Sequence, residues 1–274
     1  MPKEKLNILP VPTFSSLGVN YAEREVKGYE TEILDVKNRR DGEIVQYADS
    51  SSYPFRETKI DVPYGERIRL VQVFDRSESY VSKLHITLAD RAELELVQLY
   101  IGGSDTVSEI VTELDGAGSK FSAVIGCALD NEDKLDINLA ALHRGRKTES
   151  DISVGAVLRG NSQKTFKGTI DFKNGSSGAK GAEHEDALLL DSRVRNRTVP
   201  VILCEEENVE GSHGATVGRL DDKHVFYLRS RGLPEEKIYE LMARSRLMNA
   251  VSRIGDLQTK ARICGSLGWS DDNE

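Results

Sequence analysis

Cysteines are the strongest metal-binding side chains that the sequence offers, and there are three of them. Cys127, Cys204 and Cys264 lie far apart and form no CxxC pair. The spacing therefore predicts neither a zinc knuckle nor a disulfide framework. A metal site that uses these thiols has to be assembled in space by the fold. Cys127 lies within the apolar run 124–129, which is typical of a buried core residue.

Cys204 occupies a different local setting. It follows the apolar run 201–203 and precedes the acidic run Glu205-Glu206-Glu207, so we expect it at the end of a strand. A thiolate in that position can face a partner, and thiolate is a ligand that iron prefers. A small buried hydrophobic residue is the alternative interpretation, and the sequence leaves both open.

Histidines supply two further candidates. His213 lies between Ser212 and Gly214, where a glycine-flanked backbone lets an imidazole reach a metal; a hydrogen bond to a strand end is the ordinary alternative. In Glu183-His184-Glu185, neighbouring side chains of a strand point to opposite faces, so only Glu183 and Glu185 can converge. We expect His184 and its neighbours to lie in a solvated turn.

Composition excludes several classes of protein. The formal net charge is -8, and basic stretches are brief, which argues against a nucleic-acid binder. No apolar run approaches the roughly 20 residues of a membrane helix, and prolines occupy the place where a signal peptide needs an apolar segment. We therefore expect a soluble, cytoplasmic protein.

From about Val71 the chain has the pattern of short strands. Alternating apolar positions occur in the segments 94–100, 135–141, 152–158 and 166–172, and turn signals such as Asp115-Gly116 and Gly160-Asn161 separate such runs. No helical pattern lies between them. The alternation predicts a sandwich, a barrel or a β-solenoid, and periodicity does not choose among these three.

After Gly218 the pattern becomes helical. Asp221 and Asp222 can cap a short helix that ends at Gly232, and Pro234 opens a second, amphipathic helix with Ile238, Leu241, Met242, Ser245 and Met248 on one face. We thus predict an irregular lead-in at 1–70, a β core at 71–218 and a helical region at 219–274.

Three segments follow one another in the last third of the chain: Thr198-Val199-Pro200, VEGSHGATVG at 209–218 and VFYLRSRGL at 225–233. Together they resemble the C-terminal signature of the SufB/SufD family of iron–sulfur cluster assembly proteins. The segments 143–152 and 188–190 extend the resemblance, which covers residues from about 85 to 255. The chain is short for this family, with little room for an N-terminal helical region.

This resemblance implies a right-handed parallel β-helix closed by C-terminal helices. It also implies a scaffold rather than an enzyme, on which an iron–sulfur cluster is assembled transiently. The implied partners are a SufC-like ABC-type ATPase, docked on the helical region, and a second scaffold subunit. That subunit can be an identical copy or a SufB/SufD paralogue, and we favour the homodimer.

The chain departs from the family pattern at its cysteines. Val194 stands where B-type members place a cysteine, Gly214 stands where they place a glutamate after the histidine, and Gly211 replaces a D-type cysteine. His213 is thus the ligand that the resemblance carries over. Cys204, the nearest cysteine in sequence, is our own addition, and a carboxylate such as Glu205 or a second subunit has to complete the site.

A carbohydrate-cleaving β-helix is the alternative function, since carboxylates such as Glu93, Glu95 and Asp136 are plentiful on the predicted strands. Aromatic residues make up only 6% of the chain, which is a poor supply for a sugar platform. The cluster Gly116-Ala117-Gly118-Ser119-Lys120 lacks the spacing of a phosphate loop and is expected to be a turn.

Overall fold

The computed structural model of the chain describes residues 3–25, 28, 30–34, 36, 42–49, 51–101 and 105–269. The strands in these residues are β1 (Lys3–Leu6), β2 (Ala22–Glu25), β3 (Glu30–Leu34), β4 (Glu43–Ala48), β5 (Phe55–Val62), β6 (Arg67–Phe74), β7 (Tyr80–Leu88), β8 (Glu93–Ile101), β9 (Asp105–Leu114), β10 (Lys120–Leu129), β11 (Lys134–His143), β12 (Glu149–Leu158), β13 (Gln163–Phe172), β14 (Lys180–Leu189), β15 (Arg195–Cys204) and β16 (Glu210–Gly218). The α-helices are α1 (Asp222–Ser230), α2 (Glu235–Arg253) and α3 (Leu257–Ser266).

Strands β3 to β16 form two parallel sheets of seven strands each. The odd sheet has the order β15-β13-β11-β9-β7-β5-β3, and the even sheet has the order β16-β14-β12-β10-β8-β6-β4. Consecutive strands alternate between the two sheets, so the chain winds into a β-solenoid of about six turns. The predicted parallel solenoid with C-terminal helices is confirmed. Of the predicted turn at 116–120, residues 116–119 lie between β9 and β10, and Lys120 begins β10.

The core fills the space between the two sheets, as the period-two alternation requires. The predicted inward sets on β11 and β12 are all buried: Leu135, Ile137, Leu139, Ala141, Ile152, Val154, Ala156 and Leu158. Parallel strands stacked in register put like residues above one another, so each coil extends the same apolar column.

The solenoid begins earlier than the sequence predicts. Strands β3 to β6 already belong to the two sheets, so these parts of the predicted lead-in are regular structure. Their pattern is obscured because the outward positions carry charge: in β5 only Phe55, Thr58, Ile60 and Val62 are buried. The preceding strands β1 and β2 pair with each other antiparallel and stand outside the parallel sheets.

Both outer faces are partly covered. On the odd sheet, Leu9 and Val19 of the N-terminal segment pack against Val199, while Leu6 and Ala22 pack against Val107 and its neighbours. On the even sheet, α2 lies across β8, β10, β12 and β14. None of the helices in the described residues has the length and apolar content needed to cross a membrane.

Two glycines of the even sheet, Gly126 and Gly155, allow α2 to pack close to the strands. A Cβ on Gly155 would lie 2.1 Å from the carbonyl oxygen of Arg246, and one on Gly126 would lie 3.3 Å from the Cβ of Ala250. The close approach changes which helix face is buried: Ile238, Leu247, Ala250 and Val251 are buried, whereas Leu241 of the predicted face is 43% exposed. The helix starts are as predicted, with the Asp221 side chain accepting a hydrogen bond from the Lys223 amide.

A row of alternating charge runs along the outer face of the even sheet, at the first residue of each strand from β6 to β16. In register order it consists of Arg67, Glu93, Lys120, Glu149, Lys180 and Glu210. Ion pairs join its members two by two, with N–O distances of 2.7 Å for Arg67–Glu93 and 2.9 Å for Lys120–Glu149 and Lys180–Glu210.

Candidate functional site

The last coil, β15 and β16, forms an open end of the solenoid. In the described part of the chain neither strand has a neighbour on its outer side. His213 lies on β16 in register with Glu183 of β14. Residues paired in a parallel sheet point to the same face, so His213 shares the interior face of Glu183. His213 is exposed because no further coil covers it.

Beneath His213 the interior is polar instead of apolar. Lys164 and Glu185 are both fully buried, with 2.5 Å between the lysine Nζ and the carboxylate Oε1. Thr198 and Asn196 also donate to Glu185, at 2.6 and 3.1 Å. Each of these groups thus has a partner, as buried charges require.

Glu183 belongs to the same cluster but has no ion-pair partner among the described residues. It is 5% exposed, and its carboxyl lies against Gly168 of the facing sheet, where a Cβ would come within 1.8 Å of Oε2. Burial and the neighbouring charge of Glu185 raise its pKa to about 7, against the opposing effect of Lys164. This is a carboxyl group that can take up or release a proton near neutral pH directly under His213.

The structure does not bring Cys204 next to His213. Glu183 faces Gly168, and the coil above places His213 over Glu183 and Pro200 over Gly168. Cys204 lies four residues beyond Pro200 on β15, or roughly 13 Å along the strand at about 3.3 Å per residue. Its exposed thiol donates to the carbonyl oxygen of Glu206 at 3.0 Å.

Glu205, the predicted carboxylate ligand, is engaged in an ion pair. Its carboxylate accepts a hydrogen bond at 3.1 Å from Lys173, which also pairs with Asp171 at 2.9 Å. Among the described residues no group of three or more histidine, cysteine, aspartate or glutamate side chains is arranged to hold a metal ion.

The other two cysteines and His184 lie in the core, against α2 and on an outer strand face. Cys127 is fully buried, and burial raises the pKa of its thiol to about 12, which leaves it protonated at neutral pH. Cys264 is half-buried and packs against the apolar cluster between α2 and the even sheet, which includes Val97 and Val251. His184 lies within β14 on the outer face, so the predicted solvated turn around it is wrong, although the predicted convergence of Glu183 and Glu185 is correct.

The carboxylates that suggested a carbohydrate-cleaving enzyme are held by cations. Glu93 pairs with Arg67 at 2.7 Å, Glu95 with Arg69 at 2.7 Å, and Asp136 with Lys167 at 2.9 Å. Carboxylates engaged in this way stabilise the sheets and are poorly placed to act as a paired acid and base. We find no observation that favours the carbohydrate-cleaving alternative.

Sequence reasoning missed Lys164, Asn196 and Thr198. A signal for Lys164 was present, because it has the same parity along β13 as Phe166 and Phe172 of the recognised inward set. A lysine at an inward position indicates a buried partner. For Asn196 and Thr198 the strand pattern of β15 is too polar to show which face is inward.

Comparisons with known proteins identify the family of the chain. Residues 39–246 match the model of the SUF system FeS cluster assembly SufBD core domain. The chain is 26% identical over 164 residues to the iron–sulfur cluster assembly protein SufD of Bacillus subtilis, covering 60% of this chain and 38% of that protein. It is 30% identical over 154 residues to a SufBD family protein of Mycobacterium tuberculosis, covering 56% of this chain and 18% of that protein.

The B-type relative is more distant: the identity to SufB of Bacillus subtilis is 24% over 153 residues, covering 56% of this chain and 33% of that protein. The chain thus spans less than two fifths of the length of these relatives. The domain match nevertheless covers most of the chain and the whole of the solenoid from β4 to β16. The chain belongs to the SufB/SufD family of iron–sulfur cluster assembly proteins.

Proposed function

We propose that this chain is a non-catalytic, cytoplasmic scaffold subunit on which an iron–sulfur cluster is assembled, working with a SufC-like ABC-type ATPase. The SufBD core domain supports the assembly role. The observation that carries the proposal is the position of His213, at the uncovered end of the solenoid and above the buried carboxyl group of Glu183, which has no ion-pair partner among the described residues. An imidazole and a carboxylate both suit iron, and the open end gives a cluster room to form and to leave.

The same open end supports a homodimer. An unpaired strand edge is a template for another strand, and β16 is better suited than β15, because Pro200 removes a donor from β15. Glu210 begins β16 and Arg219 follows it. Antiparallel pairing with a second copy would place each Glu210 beside Arg219 of the partner subunit, so the edge is self-complementary in charge.

That pairing also concerns the site itself. Opposite residues of an antiparallel pair share a face, so a two-fold symmetric pair places Glu210 opposite Gly218 of the partner subunit, next to the partner's Arg219. His213 then lies two residues from the partner's His213 along the paired strands, which corresponds to roughly 7 Å. Two histidines and two Glu183 carboxyls would then face one shared space. In this arrangement the second copy supplies ligands that a single chain lacks, while Cys204 and Glu205 remain candidates for completing the set.

Docking of the ATPase is assigned to the helical region. Phe226 and Tyr227 of α1 are 75% and 54% exposed, and Leu241 of α2 is 43% exposed. Exposed aromatic residues of this size are typical of binding surfaces. Since α2 is fixed on the even sheet, movement of a docked ATPase can be transmitted to the strands beneath it.

The test compares His213→Ala with His184→Ala after anaerobic reconstitution with iron and sulfide. His184 is a matched control, because it is one residue beyond Glu183 on β14 but lies on the outer face. We expect His213→Ala to lose most of the cluster measured by Mössbauer spectroscopy and by iron and sulfide content. His184→Ala should keep the wild-type content.

Two further variants separate the remaining ligands. Glu183→Gln and Cys204→Ser are reconstituted in parallel, with circular dichroism as the check on folding and sedimentation velocity as the measure of the dimer. Equal cluster content in wild type and His213→Ala would refute the site. A homodimer that binds no cluster in any form would refute the scaffold assignment for the isolated chain.

A further inference from the structure

A groove of about 560 Å³ lies on the side of the molecule away from α2. One wall is the N-terminal segment, with Ser15, Asn20 and Arg24. The other wall is the odd sheet at the starts of β11, β13 and β15. We call this space the strap groove. It is separate from the proposed cluster site, which faces the interior of the solenoid.

Cations dominate the walls of the strap groove. Lys3, Arg24, Lys134 and Arg197 line it, against the carboxylates of Glu23 and Asp136. Asp136 is already satisfied, since its Oδ1 lies 2.9 Å from the Nζ of Lys167 and accepts from the Asn7 amide at 2.7 Å. Among the described residues, neither Lys134 nor Arg197 has an ion-pair partner.

Arg24 supplies an independent sign of a missing acceptor. Its guanidinium pairs with Asp105 and donates to the carbonyl oxygen of Glu23 at 2.7 Å. Its Nε, however, is buried and has no hydrogen-bond partner. A buried donor of a charged group that lacks an acceptor is unfavourable, so this atom indicates that an acceptor belongs in the groove.

Register fixes the spacing of the groups on the sheet wall. Lys134 of β11 pairs with Gln163 of β13, and Thr165 of β13 pairs with Arg197 of β15. Adjacent strands are about 4.8 Å apart, and Arg197 lies two residues further along the strands than Lys134. The backbones of the two cations are therefore roughly 12 Å apart, with an amide and a hydroxyl between them. Donors spread over this distance suit a ligand with anionic groups at two points.

The local charge runs against that of the whole chain, which has a formal net charge of -8. Like charges held together repel one another unless a counter-charge is present, and an acidic protein has no general reason to collect cations in a concave site. We propose that the strap groove binds a small polyanion that carries phosphate or carboxylate groups. Arg24, Lys134 and Arg197 are its anchors.

The experiment is isothermal titration calorimetry of the full chain with pyrophosphate and, in a second series, with citrate. Lys134→Gln and Arg197→Gln each remove one anchor, and Lys120→Gln is the control. Lys120→Gln removes the same charge, but the Lys120 ammonium is already paired with Glu149, and both residues lie on the even sheet, away from the groove. We expect each groove variant to weaken binding about tenfold, as for the loss of one charge-assisted hydrogen bond, and the control to weaken it less than about twofold.

Saturable binding of one anion in preference to the other would support the proposal and identify whether phosphate or carboxylate is recognised. Absence of saturable binding for both anions would overturn it. Equal weakening by Lys120→Gln would also overturn it, since the attraction would then come from overall charge. None of these substitutions touches His213 or Glu183, so cluster reconstitution can fail or succeed independently of the result.

Discussion

His143 shows how strongly the interior of the solenoid acts on a single residue. Its side chain is fully buried, with Nδ1 2.7 Å from the Thr148 hydroxyl and Nε2 2.9 Å from the Ser150 hydroxyl. The ring lies 4.9 Å from that of Phe172. Burial lowers the pKa of His143 from 6.5 to about 4, so the folded protein holds a neutral imidazole.

A pH dependence of stability follows from this shift. Between about pH 6.5 and 4 the unfolded chain binds a proton on His143 that the folded chain excludes. Acidification through this window therefore removes stability, by at most about 1.4 kcal/mol per pH unit. We expect the urea midpoint of His143→Gln, although lower at pH 7.5, to fall less steeply from pH 6.5 to 4.5 than that of wild type.

His184→Gln is the matched control for this measurement, because His184 lies on the outer face of β14. Its pH profile should parallel that of wild type. If wild type and His143→Gln fall with the same slope, the imidazole is not the group that titrates on unfolding, and the assignment to His143 is wrong.

Residue types alone predicted part of the candidate site. The alternation of a strand correctly placed Glu183 and Glu185 on one face, because that rule needs only a local period. The position of Cys204 relative to His213 could not be predicted, because the nine positions between them include a strand end and a turn whose path the sequence does not specify. Which residues share a layer depends on the stacking of coils, and that is set by the whole solenoid.

At the scale of elements, strands with a buried apolar face and capped helices were predictable, since both have local signals. The strands β3 to β6 were missed because outward charges mask their alternation. The buried face of α2 was partly wrong for a different reason. The helix meets a sheet with glycines at Gly126 and Gly155, so the closest contacts are made by backbone and by Ala250 instead of by large side chains.

The substitution Gly155→Ala tests the close packing of α2 on the even sheet. The new Cβ would meet the carbonyl oxygen of Arg246 at 2.1 Å, and backbone on both sides leaves no flexible group to move aside. We expect a loss of about 1–3 kcal/mol in the free energy of unfolding, as for overpacking, and a lower melting temperature.

Gly265→Ala is the control for that change. Gly265 lies in α3, and apart from its chain neighbours and the helix's own backbone, no atom of the described residues lies within 4 Å of the position that an added methyl group would take. Alanine should therefore leave stability unchanged or raise it by up to about 1 kcal/mol. An unchanged melting temperature for Gly155→Ala would show that α2 does not sit on the sheet at this distance.

On the scale of the whole molecule, the helical region extends along the even sheet from β14 back to β4. The junction of α2 and α3 is held by Glu43, which accepts from the amides of Gly255 and Asp256 at 2.8 Å each. Helix α1 has only Val225 buried. Truncation at Gly218 would therefore uncover the even sheet as well as remove the docking helices, so point substitutions test docking more sharply.

Combined Phe226→Ser and Tyr227→Ser should weaken ATPase binding by about 2 kcal/mol or more, because exposed aromatic residues are the expected anchors. Leu257→Ser is the control, since Leu257 of α3 is 80% exposed but lies outside the proposed surface. Pull-down followed by calorimetry with the purified ATPase measures the effect. Wild-type affinity of the double variant would place the docking surface elsewhere.

Because the row of alternating charge on the even sheet has one residue per coil, its pattern depends on whether the number of coils changes by an odd or an even number. Removal of the single coil that begins with Lys120 would bring Glu93 against Glu149, and removal of the coil that begins with Glu149 would bring Lys120 against Lys180. Like charges at about 4.8 Å on adjacent strands are destabilising. Loss or gain of two coils together keeps every neighbour opposite in sign. On this face of the molecule, length can therefore change without electrostatic cost only in even steps.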